Sequence, residues 1–161
     1  MRKLILSNYQ APGDVLMLTA AVRDLHQCYP NQFITDVRTS CTPLWQNNPY
    51  LTPLDTADPE AECLPCEYPL IHHSDRRAAH FLNGFIEFLN DDLTLRIKLT
   101  RFKGDIHLSA AEKAAPSVVE QLTGLDVPYW VNGRRWWTIL KVGFCSSRLA
   151  KRTIITRASA T

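Results

Sequence analysis

The sequence predicts a three-layer α/β domain with a mostly parallel sheet. An apolar run at residues 4–6 is followed by a polar turn through residues 7–14 and an amphipathic helix at 15–25. A β-rich run at 33–38 then completes a strand, helix, strand unit of about 30 residues, the usual size of a βαβ unit. Ligands bind at the carboxyl ends of such strands, so the turn at 7–14 is the first candidate site.

The opening helix is predicted from its apolar spacing. Val15, Leu18, Val22 and Leu25 recur with the helical period. Asp14 precedes them, where its side chain is expected to accept the free N–H groups of the first helical turn. Pro12 and Gly13 form the tight turn between strand and helix.

The rest of the chain divides into short segments with weaker signals. A short helix at 40–47 ends before Pro49, which cannot continue a helix. Residues 79–93 form the clearest amphipathic helix in the sequence. Ser109 and Glu112 have the spacing of a capping box, and Pro116 should kink the helix that follows. The predicted elements, in order, are a short helix at 40–47, a strand at 50–54, a loop at 55–62, a strand at 68–71, helices at 79–93 and 109–122, and a strand at 127–132.

Composition and charge limit the functional classes. The chain has 161 residues, enough for one well-packed domain, and no apolar run long enough to cross a membrane. We therefore expect a cytoplasmic protein, and the five cysteines fit a reducing compartment. Residues 1–131 carry 11 basic and 16 acidic side chains, a balance of −5, whereas residues 132–161 carry 7 basic and none acidic. Such a tail is expected either in an arm that binds anionic surfaces or after a shifted reading frame.

The order of several segments in residues 1–131 resembles a known enzyme family. These segments are Lys3-Leu4-Ile5-Leu6-Ser7, then Gly13-Asp14-Val15-Leu16, Tyr29-Pro30, Phe33-Ile34-Thr35-Asp36-Val37 and Leu44-Trp45-Gln46-Asn47-Asn48-Pro49-Tyr50. Together they resemble glycosyltransferase family 9, the heptosyltransferase-type enzymes. The resemblance implies a Rossmann-like domain equivalent to the amino-terminal, acceptor-binding half of a GT-B enzyme.

The resemblance also implies an activity: transfer of heptose from ADP-heptose to a lipopolysaccharide-type acceptor. Asp14 corresponds to the general base, although it could also act only as a helix cap. We predict Ser7, Gly13, His72, His73, Arg76 and Arg77 as substrate-binding residues. The last four form a loop where arginine could bind anionic groups on an acceptor, or where all four are simply solvated. The resemblance further implies peripheral contact with the inner membrane, and we expect no cofactor, no metal and no nucleic acid.

The resemblance stops where the donor-binding half should begin. We predict an acceptor-side domain at 1–126, the start of a donor-side domain at 127–141 and an irregular basic tail at 142–161. A truncated or frame-shifted gene would explain this pattern, and the chain would then be inactive alone. The alternatives are a non-catalytic Rossmann-like binding module, disfavoured by the missing Gly-x-Gly-x-x-Gly fingerprint, and an anionic-surface or nucleic-acid binder acting through the tail.

Cys63 and Cys66 form a Cys-x-x-Cys pair that could clamp a zinc ion. No second pair and no His-x3-5-His spacing accompanies them. We therefore interpret the pair as two ordinary thiols in a loop.

Overall fold

A computed structural model describes residues 1–67, 75–76, 78–124, 126, 129–132 and 141–144. Two compact units make up the chain, Met1–Ser109 and Ala110–Thr161. The predicted strand at 68–71 lies outside the described residues, as does almost all of the basic tail. The predicted domain boundary after residue 126 stays a prediction.

The first unit contains a parallel sheet of three strands. They are β1 at Arg2–Asn8, β2 at Phe33–Thr39 and β3 at Ala61–Pro65, in the order β2-β1-β3. Successive side chains of β1 point to opposite faces, yet Leu4, Ile5 and Leu6 are all buried. A central strand covered on both faces is typical of α/β proteins. The sheet and its helices confirm the α/β prediction.

Helix α1 spans Pro12–Cys28 and joins β1 to β2. It begins three residues before the predicted start because Pro12 occupies the first helical turn, where its missing N–H costs no hydrogen bond. Its buried positions include the four apolar residues that predicted it, Val15, Leu18, Val22 and Leu25. The predicted strand, helix, strand unit is therefore confirmed.

The connection from β2 to β3 contains a 3₁₀ turn at Thr42–Trp45 instead of a longer helix. The strand predicted at 50–54 is reduced to one parallel bridge between Leu51 and Thr35. The carboxylate of Asp36 takes the Leu54 N–H at 2.7 Å, and Pro53 has no N–H to donate. A side chain therefore replaces the backbone ladder at this edge.

Strand β3 lies partly where a loop was predicted. Its sequence, Ala-Glu-Cys-Leu-Pro, has one buried apolar side chain, so no strand period is visible. Ion pairs anchor it: Arg2 binds both oxygens of Glu62, and Lys3 binds Glu60 at 2.8 Å. Partly exposed pairs such as these contribute little to stability, and the strand is held by its parallel pairing with β1.

Helix α2 spans Phe81–Leu93 and packs against α1, in agreement with the predicted amphipathic helix. The ring Nδ1 of His80 accepts the Leu82 N–H and begins the helix, while Thr94 ends it in a left-handed conformation. The side chain of Asn90 then accepts the Ile97 N–H at 2.6 Å and donates to the Ile97 carbonyl at 3.1 Å. These bonds direct the chain into an irregular segment, residues 95–105, which we call the strap.

The second unit contains two short helices and a hairpin. Helix α3 spans Ala110–Ala114 and α4 spans Val118–Thr123. Pro116 lies between them, so the single kinked helix predicted at 109–122 is in fact broken. A capping box formed by Ser117 and Glu120 begins α4. Strands β4 at Tyr129–Asn132 and β5 at Lys141–Phe144 pair antiparallel.

Among the helices formed by the described residues, none has the length and apolar character needed to cross a membrane.

Candidate functional site

The turn between β1 and α1 is closed by a buried asparagine. Asn8 is 3% exposed, and its Oδ1 accepts the Gln10 N–H at 2.9 Å. Its Nδ2 donates to the Cys66 carbonyl at 3.0 Å, and the Cys66 N–H donates to the Ser7 carbonyl at 2.8 Å. The side chain therefore shapes the turn and fastens it to the end of the neighbouring strand β3.

Asp14 lies in the first turn of α1, directly after Gly13. The N-cap residue is Ala11, which makes no side-chain cap bond, so Asp14 is the third residue of the helix and not its N-cap. Its own backbone N–H donates to the Ala11 carbonyl at 2.9 Å. The carboxylate is partly buried. It thus lies just beyond the carboxyl end of the central strand.

The remaining predicted site residues differ in burial, and three of them lie outside the described residues. Ser7, near the end of β1, is partly buried, and its Oγ donates to the Leu64 carbonyl at 3.5 Å. Gly13 is exposed, and a Cβ added there would meet no atom within 4 Å. Arg76 is exposed in a turn. His72, His73 and Arg77 lie outside the described residues. The structure therefore brings Ser7, Gly13 and Asp14 together around one turn.

Cys63 and Cys66 differ in their surroundings. Cys63 is exposed on β3, whereas Cys66 follows the strand and is buried. Burial raises the pKa of the Cys66 thiol to about 12, with a smaller contribution from the charge of Asp92. A thiol held protonated at neutral pH is a poor nucleophile and a poor zinc ligand. Within the described ranges, no group of three or more metal-ligating side chains converges.

The segment 44–50, which carries part of the family resemblance, has a structural role here. Trp45 is buried in the core cluster. The Oδ1 of Asn48 accepts the Tyr50 N–H at 3.0 Å, and the Tyr50 ring stacks on His26 with centroids 5.3 Å apart. Burial lowers the pKa of His26, so this stack contains the neutral ring near pH 7. Through Tyr50, this segment therefore packs against His26 near the carboxyl end of α1.

Sequence reasoning missed two polar features near the site. Asn8 could have been found, because an asparagine that ends an apolar strand often forms such a turn. The second feature is the ion pair of Arg23 and Asp24, which are 1% and 0% exposed. Adjacent residues on a helix normally point in different directions, so nothing in the sequence indicated this pair.

Three comparisons with known proteins yield no relative. No family model, no curated protein sequence and no solved structure matches this chain.

Proposed function

We propose that the Met1–Ser109 unit is the acceptor-binding half of a GT-B type glycosyltransferase, a three-layer Rossmann-like domain, and that Asp14 is its general base. The observation that carries the proposal is the carboxylate of Asp14 in the first turn of α1, beyond the carboxyl end of the central parallel strand. Ligands of open α/β sheets bind at that end. The ordered resemblance of residues 1–50 to glycosyltransferase family 9 supports the same role.

The reaction proposed is an inverting transfer of heptose from ADP-heptose to a lipopolysaccharide-type acceptor. Asp14 accepts the proton of an acceptor hydroxyl while that oxygen forms a bond to the anomeric carbon of the donor. The bond from the anomeric carbon to the phosphate oxygen breaks on the opposite face, and ADP leaves with the electron pair.

Ser7 and Gly13 have separate roles in this proposal. The partly buried hydroxyl of Ser7 lies on the strand that leads into the turn, where it can share a hydrogen bond with an acceptor hydroxyl. Gly13 leaves open space beside the helix terminus, so an acceptor can approach the backbone. Donor binding is not assigned to the described residues. Use of a nucleotide sugar places the protein in the cytoplasm.

Acceptor binding is the most direct test. Calorimetric titration with a delipidated lipopolysaccharide inner-core oligosaccharide should give binding by the wild-type chain. Asp14→Asn should weaken that binding about tenfold, because a hydrogen bond to a charged acceptor is replaced by a neutral one. Asp91→Asn is the matched control, since Asp91 is an exposed acid in the last turn of α2. It should bind like the wild type.

Two results would overturn the proposal. One is a wild-type chain that gives no heat of binding with the oligosaccharide. The other is equal weakening by Asp14→Asn and Asp91→Asn, which would indicate only a general charge effect.

A further inference from the structure

A large aromatic side chain is exposed on the turn that leads to Asp14. Tyr9 directly follows Asn8, the last residue of β1, and is 70% exposed. In the part of the chain that the structure describes, its ring packs on no other ring and its hydroxyl makes no hydrogen bond. Phe102 is equally exposed, but its ring has an edge-to-face neighbour in His80, with centroids 5.7 Å apart. The fold therefore makes no structural use of the Tyr9 ring.

The backbone on both sides of Tyr9 is held in place. Asn8 is buried, and its Oδ1 accepts the Gln10 N–H at 2.9 Å, so Tyr9 is the middle residue of a turn closed by a side chain. On the far side of the turn, the Ala11 carbonyl accepts the Asp14 N–H at 2.9 Å and begins the helix. Because the turn is already ordered, a ligand that binds the Tyr9 ring has only that side chain to immobilise.

The charge of this stretch favours a neutral ligand. Residues 4–22 contain no lysine, arginine or histidine, and their only charged side chain is that of Asp14. A phosphate or carboxylate group bound beside the turn would therefore meet an acid and no cation from this stretch. A neutral ligand avoids that repulsion, and its hydroxyl groups can donate hydrogen bonds to the Asp14 carboxylate. The open space beside Gly13 gives such a ligand room to approach.

We propose that Tyr9 binds the acceptor by stacking its ring on one face of a neutral pyranose sugar. A pyranose carries most of its hydroxyl groups around its rim and C–H bonds on its faces. Those C–H hydrogens are weakly positive and the face of an aromatic ring is negative, so the two attract each other. Their contact also buries apolar area while the rim hydroxyls stay hydrogen-bonded. The inference rests on the proposed function and adds to it the class of sugar that the site takes.

Stacking also orients the sugar for reaction. A sugar that lies flat on the Tyr9 ring can turn only in its own plane, which restricts the directions of its rim hydroxyls. Tyr9 and Asp14 lie at the two ends of one short turn. A rim hydroxyl of the stacked sugar is therefore directed to the Asp14 carboxylate.

Calorimetric titration of Tyr9 variants with the delipidated inner-core oligosaccharide tests the proposal. Tyr9→Ser removes the ring and should weaken binding about tenfold, the size expected for one aromatic contact with the apolar area it buries. Tyr9→Phe removes only the hydroxyl, so it should bind within about twofold of the wild type. Both variants should unfold at the wild-type temperature, because the side chain is exposed and makes no contact that the fold needs.

Leu108→Ser is the matched control away from the site. Leu108 is 49% exposed and follows His107, whose ring lies edge-to-face with that of Tyr50. Tyr50 stacks on His26, which is about 18 Å along α1 from Asp14 at the usual helical rise. This variant loses exposed apolar area far from the turn and should bind like the wild type.

Proton NMR of the bound oligosaccharide gives a readout that a purely structural role of Tyr9 would not change. Protons over the face of an aromatic ring shift upfield. Such shifts are expected for C–H protons of a neutral sugar with the wild type and with Tyr9→Phe, and should be absent with saturating Tyr9→Ser.

The outcomes separate this inference from the proposed function. If the wild type binds the oligosaccharide and Tyr9→Ser binds it equally well, the stacking role is overturned and the acceptor-binding function stands. A wild-type chain that does not bind overturns both. Tyr9→Phe that binds as weakly as Tyr9→Ser would assign the contact to the hydroxyl, against stacking. Upfield shifts confined to a carboxylate-bearing sugar would contradict the neutral class.

Discussion

Helix α1 has two regions that differ in how deeply their charged side chains are buried. Its first turn, with Gly13 and Asp14, faces the end of the sheet and is partly open to solvent. The part from Leu16 onward lies beneath the strap, and there Arg23 and Asp24 are fully buried. One helix therefore carries one acid that is partly exposed and one acid that is fully buried.

The comparison shows that a fully buried carboxylate needs hydrogen-bond donors for both of its oxygens. Each oxygen of Asp24 accepts hydrogen bonds, from the guanidinium of Arg23 and from both the N–H and the hydroxyl of Thr100. A buried charge without such partners would cost several kcal/mol. Asp14 is only partly buried, so its carboxylate does not need a set of partners as complete as that of Asp24.

The largest effect is expected from Arg23→Met. This variant leaves Asp24 buried beside an uncharged side chain and removes the donors to two strap carbonyls. Removing one partner of a buried ion pair costs about 3–5 kcal/mol in free energy of unfolding, which urea unfolding would measure. The double variant Arg23→Met with Asp24→Leu should lose less than Arg23→Met alone. Losses that simply add would show that the two side chains act independently.

A smaller effect is expected at the boundary between the two regions. A Cβ at Gly104 would lie 2.5 Å from Leu16 Cδ1 and 3.1 Å from the Leu16 carbonyl oxygen. Gly104→Ala should therefore lower the free energy of unfolding by about 1–3 kcal/mol through overpacking. Gly13→Ala is the matched substitution in open space, and it should raise stability by about 0.4–1 kcal/mol. Thermal unfolding of both variants measures this contrast, and equal effects would contradict it.

The smallest effect is expected from Asp14→Asn. An acid in the first turn of a helix stabilises it through the dipole by about 0.3–1 kcal/mol, so the loss should lie in that range. Asp24→Asn, tested by the same urea unfolding, should cost several times more because it breaks the buried network. A loss for Asp14→Asn as large as that for Asp24→Asn would show that Asp14 is structural, against its proposed role as a base.

The parts of the fold that could be predicted are those with a clear apolar pattern. Strand β1 shows in the sequence as an apolar run because both of its faces are buried, and the two long helices show because their inner faces are apolar at regular spacing. Strand β3 could not be found, since only one of its five side chains is buried and its pairing with β1 leaves no apolar period in the sequence. The single bridge at Leu51 was also hidden, because the Asp36 side chain replaces backbone pairing there.

The turn that carries the candidate site was predicted, but its detail was not. An apolar run followed by a helical period located the connection from β1 to α1. The helix start was misplaced because Pro12 itself enters the first turn, which moves Asp14 from the cap to a position inside the helix. The strap is fastened by Arg23, through a contact across 80 residues that no local pattern reveals.

The contacts of the strap also set an order of events during synthesis. Arg23 and Asp24 leave the ribosome long before their partners at residues 100–103, so β1, α1 and β2 can pair while the central part of α1 is still hydrated. Contacts between residues this distant in sequence form late and slow folding. A nascent chain that stops before Thr100 exposes an unshielded apolar and charged face of α1, a surface that chaperones would recognise.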